Sequence, residues 1–573
     1  MNILSLQLGH NATVGLFQDG KIKALVSQER FDYIKNSKAF PKDAIKWIMD
    51  LLNLNGEDID VVAVAGLFIY PNQMNIVRGR ASLVSSTWAY LDYKCSSIAD
   101  IIRALYKPVK QLALNKAKEL LYKQLEKFGI AKNKVVFVEH HLCHAYTPYF
   151  GFLGGKKAFT LLTLDGAGDF YSATVGVGKE GIYKRLSTTP IKASLGYIYS
   201  TTTQFLGMKP LEHEYKVMGL APYAKEKYAK KVYEKFKQII WLREDGLTFD
   251  SKFPTSRFGI YLKENLCGER FDNIAYAVQK LTEQLITQWV RNAINKTGIN
   301  RVATSGGVFM NVKANMLLAY MEEIDEIFFT PSAGDESNPI GAAYYTYLHH
   351  LKGDPKKIKP IKDLYLGPSF SNDEIEEFIK KKELKRKYKV SYYKDIEGVI
   401  AELIAKGEVV ARFAGRAEWG ARALGNRTIL ADPSKMESFF KVNDQIKMRD
   451  FWMPFAPTML NERADEYIEN PYKRKAPYMI LAFRSTEEGR KYFKAAMHQA
   501  DKTLRPQILE KSWNPKYYKI IKEFENITGI GGVLNTSFNL HGKPIATFPW
   551  QALDVFEHSK LKYLAMENWL IEK

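Results

Sequence analysis

Apolar and polar side chains alternate through the opening of this chain, in Ile3-Leu4-Ser5-Leu6-Gln7-Leu8, then Ala12-Thr13-Val14-Gly15-Leu16-Phe17, then Lys21-Ile22-Lys23-Ala24-Leu25-Val26. A period of two sends successive side chains to opposite faces, so these runs predict three strands. Gly9-His10-Asn11 and Gln18-Asp19-Gly20 supply the turns of an antiparallel start. A capped helix from about Pro41 to Leu54 and a buried strand over Val61 to Leu67 follow. The stretch from about Asn72 to Lys127 reads as helical, aromatic and basic, with no catalytic pattern.

A second strand-turn-strand opening spans Ala158 to Val177, with Asp165-Gly166-Ala167-Gly168-Asp169 in its first turn. The theme therefore occurs twice, near 3–27 and 159–177, each time with helices after it. Two such βββαβα halves around a cleft are how actin-like (ASKHA) ATPase folds are built. Residues 225–300 read as mostly helix, with a polar loop around Asp245 to Thr255. Strand Val302-Ala303-Thr304 then runs into Ser305-Gly306-Gly307-Val308, and Ile327-Phe328-Phe329 runs into the Asp335 loop. The segment from His349 to Pro360 is polar, charged and proline-punctuated, as linkers are. Beyond it, helices at Asn372 to Lys381 and Ile396 to Lys406 alternate with strands at Val409 to Phe413 and Tyr478 to Phe483. The expected architecture is α/β, divided into residues 1–352 and 353–573.

At 573 residues the chain is too long for one domain under the usual prior of roughly 150 residues each. No window approaches the roughly eighteen uninterrupted apolar residues of a membrane span. The N-terminus lacks the basic and then apolar pattern of an export signal. Cys95, Cys143 and Cys267 are scattered and form no C-x-x-C pair, which fits a reducing cytoplasm without a disulfide framework. The formal charge of +20 is the compositional outlier, and it points to nucleic acid, an anionic membrane surface or anionic small substrates. Much of it lies in lysine-rich helical stretches mixed with acids, such as 224–231 and 380–387, which read as solvated faces.

Candidate chemistry is concentrated in a few places. Val138-Glu139-His140-His141-Leu142-Cys143-His144-Ala145 holds three of the ten histidines within five positions. On a helix, His140 and His144 share one face and can reach one ion, with oxygen ligands from the Asp165–Asp169 turn or the Asp335-Glu336 loop. Imidazole with carboxylate suits iron, zinc or manganese rather than calcium. The competing reading is a helix N-terminus carrying a few satisfied histidines. Gly306-Gly307 and the glycines Gly166 and Gly168 allow backbone to approach a phosphate-bearing ligand closely, or simply make tight turns. In the second half, Gly415-Arg416-Ala417-Glu418-Trp419-Gly420-Ala421-Arg422-Ala423-Leu424-Gly425-Asn426-Arg427 packs three arginines among three glycines, and Lys447-Met448-Arg449-Asp450 and Arg505 follow. Converging guanidinium groups bind phosphate bidentately, so these residues suggest a polyanion pocket, against a reading as surface salt bridges. Asn535-Thr536-Ser537-Phe538-Asn539 either completes that pocket or is a β-turn cluster.

Over nearly its full length the chain resembles the O-carbamoyltransferases that modify nodulation factors, cephem antibiotics and aminoglycosides. The matching pieces are Gly9-His10-Asn11, Glu29-Arg30-Phe31 with Phe40-Pro41, the His140–Ala145 run, and Lys216 through Tyr223. Ser305 through Val308 with Asn311, Gly415 through Pro433, Pro454 through Pro457, and Asn535 through Asn539 match as well. The resemblance implies an actin-like N-terminal transfer domain and a C-terminal domain similar to threonylcarbamoyl-adenylate synthase. It implies carbamoyl-adenylate formation from carbamoyl phosphate and ATP with Mg(II), then carbamoyl transfer to a hydroxyl of a sugar or natural product.

By the same resemblance His140, His144, Asp335 and Asp165 hold Fe(II) or another divalent transition metal, and His10 with Lys35 forms the transfer-site pair. Gly166, Gly168, Ser305, Gly306, Gly307 and Asn311 cradle the adenylate, and Arg416, Arg422, Arg449, Arg505 and Asn535 hold ATP and carbamoyl phosphate. Asn11 stands where the family usually has Asp, Asp32-Tyr33-Ile34-Lys35 where it has more basic residues, and Ala421 where it has Pro. The stretch 72–127 is the expected acceptor surface. No membrane and no nucleic acid are expected as partners, and a homodimer stays open. The +20 charge and the tRNA-pathway likeness leave one alternative, a tRNA-modifying enzyme or RNA-binding protein.

Overall fold

The computed structural model describes residues 1–68, 90, 92–94 and 107–573. Most of the 72–127 stretch, Cys95 included, lies outside the described residues; its described end, Lys107–Glu126, is helical. The chain forms two compact units, Met1–Gln28 with Asn36–Ile361, and Glu29–Lys35 with Lys362–Lys573. The linker-like residues up to Ile361 pack with the first unit: Lys359 N donates to Gly20 O at 2.8 Å and Ile361 N to Gly151 O at 2.7 Å.

The first unit is built twice over. Strands β1 (Asn2–Gln7), β2 (Thr13–Gln18), β3 (Lys21–Ser27), β4 (Val61–Ala65) and β5 (Val135–Val138) form a sheet of order β3-β2-β1-β4-β5. β6 (Phe159–Gly168), β7 (Tyr171–Lys179) and β8 (Ile182–Pro190) make the second antiparallel opening. β9 (Ile240–Leu242) and β10 (Phe249–Ser251) form a small hairpin where a loop was expected, and β11 (Arg301–Ser305) and β12 (Glu326–Phe329) complete the set. The second large sheet has the order β12-β11-β6-β7-β8, which is the first sheet's order again. In each sheet an antiparallel three-strand meander is extended by two parallel strands on its first member. The polar positions Ser5 and Gln7 of β1 are buried as well as the apolar ones, because the helix Asn338–Tyr345 packs on that strand. Ser5 Oγ accordingly finds a partner inside, donating to Gly15 O.

Two expectations are corrected here. The turn over Asp165–Asp169 is not a turn: β6 runs on to Gly168, pairing with Tyr171, and residues between Leu164 and Gly168 bulge out of the ladder. The reversal falls at Asp169, whose φ of 52° a turn accommodates. The helix expected from Pro41 is Lys42–Leu51; Pro41 itself offers no cap, and Ala44 N in the first turn donates to Gln28 Oε1 at 3.3 Å instead.

The second unit carries β13 (Lys389–Tyr392), β14 (Val410–Phe413), β15 (Arg427–Ala431), β16 (Ala456–Leu460), β17 (Phe483–Arg484), β18 (Thr503–Leu504), β19 (Gln507–Leu509), β20 (Gly532–Ser537), β21 (Tyr563–Met566) and β22 (Trp569–Glu572). Eight of them form one mixed sheet, β13-β22-β21-β14-β15-β20-β16-β19, and β17 pairs with β18. The helix Asn372–Lys381 starts at a capping box, Ser371 with Glu374. The strand expected over Tyr478 to Phe483 shrinks to Phe483–Arg484, because Met479 takes a φ of 57° that a strand does not allow.

Candidate active sites

In the first unit the H-x-x-x-H run forms the helix His140–Tyr146 at the end of β5. Its N-terminus is tied down twice. Glu139 accepts from His141 N and Leu142 N at 2.9 and 3.0 Å, satisfying amides that the first helical turn leaves open, and Arg185 pairs with that carboxylate. Asp169 accepts from His140 N at 2.8 Å and from Leu67 N and Phe68 N, so the tip of the β6–β7 hairpin fixes where the helix begins.

The bulge in β6 brings Asp165 to the same face. His140 Nε2 and His144 Nε2 are 3.0 Å apart, and Asp165 Oδ2 lies 3.3 and 3.1 Å from them. Asp335 Oδ1, from the loop after β12, lies 3.4 and 3.6 Å from the same nitrogens. All four donor atoms fall within 4.8 Å of one another. Ligands at first-row metal bond lengths stand about 2.9–3.6 Å apart, between an octahedral and a tetrahedral edge, so the set fits one such ion. Burial disfavours charge on both imidazoles, yet Asp335 and Asp165 outweigh it: His140 is raised to about 9 and His144 is raised too. Burial likewise works against the Asp165 carboxylate, and the hydrogen bonds from His140 and His144 hold it well below the usual range. The cluster thus calls for positive charge at its centre.

The surrounding residues divide by what they touch. His144 Nδ1 lies 3.1 Å from Ser305 Oγ, which places Ser305 behind one of the two clustered imidazoles. His141 is a satisfied core histidine, held by Thr163 Oγ1 and Tyr171 O at 2.8 and 3.0 Å. A Cβ on Gly307 would come 3.0 Å from Asp165 Oδ1, and Gly306 has a φ of 105° with Leu164 backbone pressed against it. Gly166 N donates to Asp165 Oδ1 and its carbonyl accepts from Ser194. Asn311 is occupied internally: it caps the helix Val312–Ala319 and exchanges hydrogen bonds with Gln279. His10, between β1 and β2, has a buried Nδ1 with no hydrogen-bond partner. Burial lowers its pKa, Asp335 opposes that, and the lysine among its charged neighbours is Lys38 rather than Lys35.

Lys35 belongs instead with the second unit, where it bears on Lys447. There the arginine loop is folded on itself by Glu418, whose Oε1 accepts from Leu424 N, Asn426 N and Arg427 N. Arg427 is fully buried, donates to Ala414 O and Gly415 O, and stacks on Phe413 at 3.8 Å, so it holds the loop's base. Arg416 donates to Leu366 O and Gly367 O. Arg505 is pushed well below its ordinary range by burial and by Arg422 and Arg449 beside it. Burial, Arg449 and Lys35 do the same to Lys447, whose Nζ also donates to Asn539 Oδ1 and Ser537. Like charges gathered out of water favour an anion among them. Asn535 lies inside rather than in that space, donating to Ala423 O and Thr458 Oγ1, and so steadies the chain just after Arg422. Sequence reasoning reached Lys447 only as part of the stretch around Arg449 and Asp169 only as an oxygen-ligand candidate; the capping role of Glu139 and the backbone-holding role of Asp169 carried no signal.

Two family models match the chain: Carbamoyltransferase N-terminus over residues 2–344 and Carbamoyltransferase C-terminus over residues 401–573. The chain belongs to the carbamoyltransferase family, and it is an enzyme. Nodulation protein NolNO of Sinorhizobium fredii is 29% identical over 98% of this chain and 79% of its own length. Nodulation protein NolO of Bradyrhizobium diazoefficiens is 30% identical over 76% and 79%. An uncharacterised protein of Methanocaldococcus jannaschii is 34% identical over 78% and 75%. Among solved structures, HypF of T. kodakarensis overlaps 62% of this chain and 49% of its own at 12% identity and a TM-score of 0.33. The ROK hexokinase from Thermus thermophilus overlaps 62% and 100% at 12% identity and 0.31. Among the described residues no helix is long and apolar enough to cross a membrane.

Proposed function

We propose that the protein is an ATP-dependent O-carbamoyltransferase with two half-reactions on two units. The second, resembling threonylcarbamoyl-adenylate synthase, converts carbamoyl phosphate, ATP with Mg(II) and one water into carbamoyl-adenylate, phosphate and pyrophosphate. The first, an actin-like fold, moves the carbamoyl group to a hydroxyl of a sugar or natural product. The acceptor oxygen loses its proton, attacks the carbamoyl carbon, and the bond to AMP breaks. His10 is suited to take that proton, because its Nδ1 is buried without a protein partner and Asp335 lies among its charged neighbours. His140, His144, Asp165 and Asp335 would hold the metal, Fe(II) or a similar ion, which supplies a Lewis acid for the carbamoyl oxygen. Gly306 and Gly307 leave backbone bare beside Asp165 for the adenylate. In the second unit Arg422, Arg449, Arg505 and Lys447 offset the charge of two phosphorylated substrates.

The observation that carries this reading is the pairing of a four-donor metal cluster in one unit with a cation cluster in the other, each under its own family model. The test is carbamoyl-phosphate-dependent ATP–pyrophosphate exchange. Arg422→Ala should abolish exchange, whereas His144→Ala should keep exchange and lose transfer. Loss of the same step in both variants overturns the assignment. Tight tRNA binding that survives added salt would favour the tRNA-modifying alternative instead.

A further inference from the structure

The segment Glu29–Lys35, supplied by the N-terminal part of the chain, folds as part of the second unit. Its anchor is Arg30, 5% exposed, whose Nη2 donates to Gly420 O at 2.7 Å and Nη1 to Ile545 O at 3.2 Å. Gln551 in turn donates to the Arg30 carbonyl at 2.8 Å, Phe31 packs on Phe548, and Tyr33 packs on Trp550. Gly420 has a φ of 96° and stands two residues before Arg422. A charge-assisted bond to the carbonyl of so flexible a residue fixes the peptide that leads into the arginine. The other side of the same loop is held from within the unit, by Asn535 on Ala423 O.

We infer that Arg30 is a positioning residue for the anion site of the second unit: it holds Gly420 so that Arg422 meets a phosphate of the adenylation substrates. This rests on the two-site reading above. It also means that the second unit is complete only with residues encoded far upstream of the rest of it, so the Glu29-Arg30-Phe31 segment serves activation rather than transfer.

The experiment uses the full chain and measures the exchange reaction for Arg30→Met, Arg30→Lys, Arg422→Lys and the double variant Arg30→Met with Arg422→Lys. The KM for ATP and for carbamoyl phosphate is recorded with kcat, and thermal melting is recorded in parallel. Arg30→Met should raise KM about tenfold or more for the same substrate whose KM rises in Arg422→Lys. Arg30→Lys, which keeps the charge and one of the two hydrogen bonds, should fall between Arg30→Met and the wild type. In the double variant the two effects should not add, because both act through one contact. A wild-type KM in Arg30→Met with only a lowered melting temperature, or additive effects in the double variant, overturns the inference. If Arg30→Met does not fold, a wild-type KM in Arg30→Lys does the same. Absence of exchange in the wild type would instead sink the two-site reading itself.

Discussion

Gly168 lies hard against the ring of His140: a Cβ there would stand 2.0 Å from Cδ2 and 2.3 Å from Cγ. The absent side chain therefore belongs to the proposed metal site, since the end of β6 leaves room for the imidazole only as glycine. Gly168→Ala should displace the His140 ring and weaken metal binding at least tenfold, because one of four ligands leaves its place. Metal titration of the purified variant checks this, with exchange activity as the control that should not change. Unaltered metal affinity would show that the ring can be accommodated elsewhere.

Ser305 gives a finer test of the same centre. If His144 offers Nε2 to the ion, its Nδ1 carries the proton and donates to Ser305 Oγ, 3.1 Å away. Partners behind a ligand set its tautomer and ring angle, and their loss commonly lowers metal affinity roughly 10–100-fold. Ser305→Ala should show such a loss by competition with a chromophoric chelator, and Ser305→Thr, which keeps the hydroxyl, should recover most of it.

Local pattern carried the meander, because alternation at Ile3–Leu8 is set by the strand's own period, and it carried His140 with His144, because helical spacing is enough to put them on one face. It failed where long-range contacts decide. Nothing near Lys35 in the chain says that Glu29–Lys35 folds with the second unit and bears on Lys447. The bulge before Gly168 reads as a glycine-rich turn, since glycine serves both. Asn311 and Asn535 look like ligand-binding amides, yet a helix N-terminus and a loop carbonyl claim them. Asp169 reads as an oxygen-ligand candidate from the sequence, whereas its carboxylate is spent on the backbone amides of Leu67, Phe68 and His140.

Metal uptake should release protons. Burial opposes the His140 imidazolium, but Asp335 and Asp165 raise it to about 9 in the absence of an ion, and a ligating nitrogen must be deprotonated. The apparent metal affinity should therefore rise with pH through neutrality and level off above about 9. Calorimetry in two buffers of different ionisation enthalpy reads the released protons directly; a pH-independent affinity between 6 and 9 (roughly the window set by the free and folded values) would contradict it. Without metal the sign for stability is opposite: the raised His140 contributes most below its unfolded pKa and loses that contribution as pH climbs through about 9.

Arg505 should trade stability for binding. Burial and the neighbouring Arg422 and Arg449 all work against its charge, so in the unliganded protein the guanidinium is held at a disadvantage. Arg505→Met keeps most of the apolar stem while removing that repulsion. It should raise the unfolding free energy by about 0.5–2 kcal/mol, as substitutions that relieve a functional compromise do. The same change should remove the response to anion. Inorganic phosphate at a hundredfold excess over its dissociation constant stabilises a protein by about 2.7 kcal/mol, which raises the melting temperature of the wild type. The variant should start higher and move little. If Arg505→Met instead melts lower and still responds to phosphate, the guanidinium is a structural tether and the cations around it do not form an anion site.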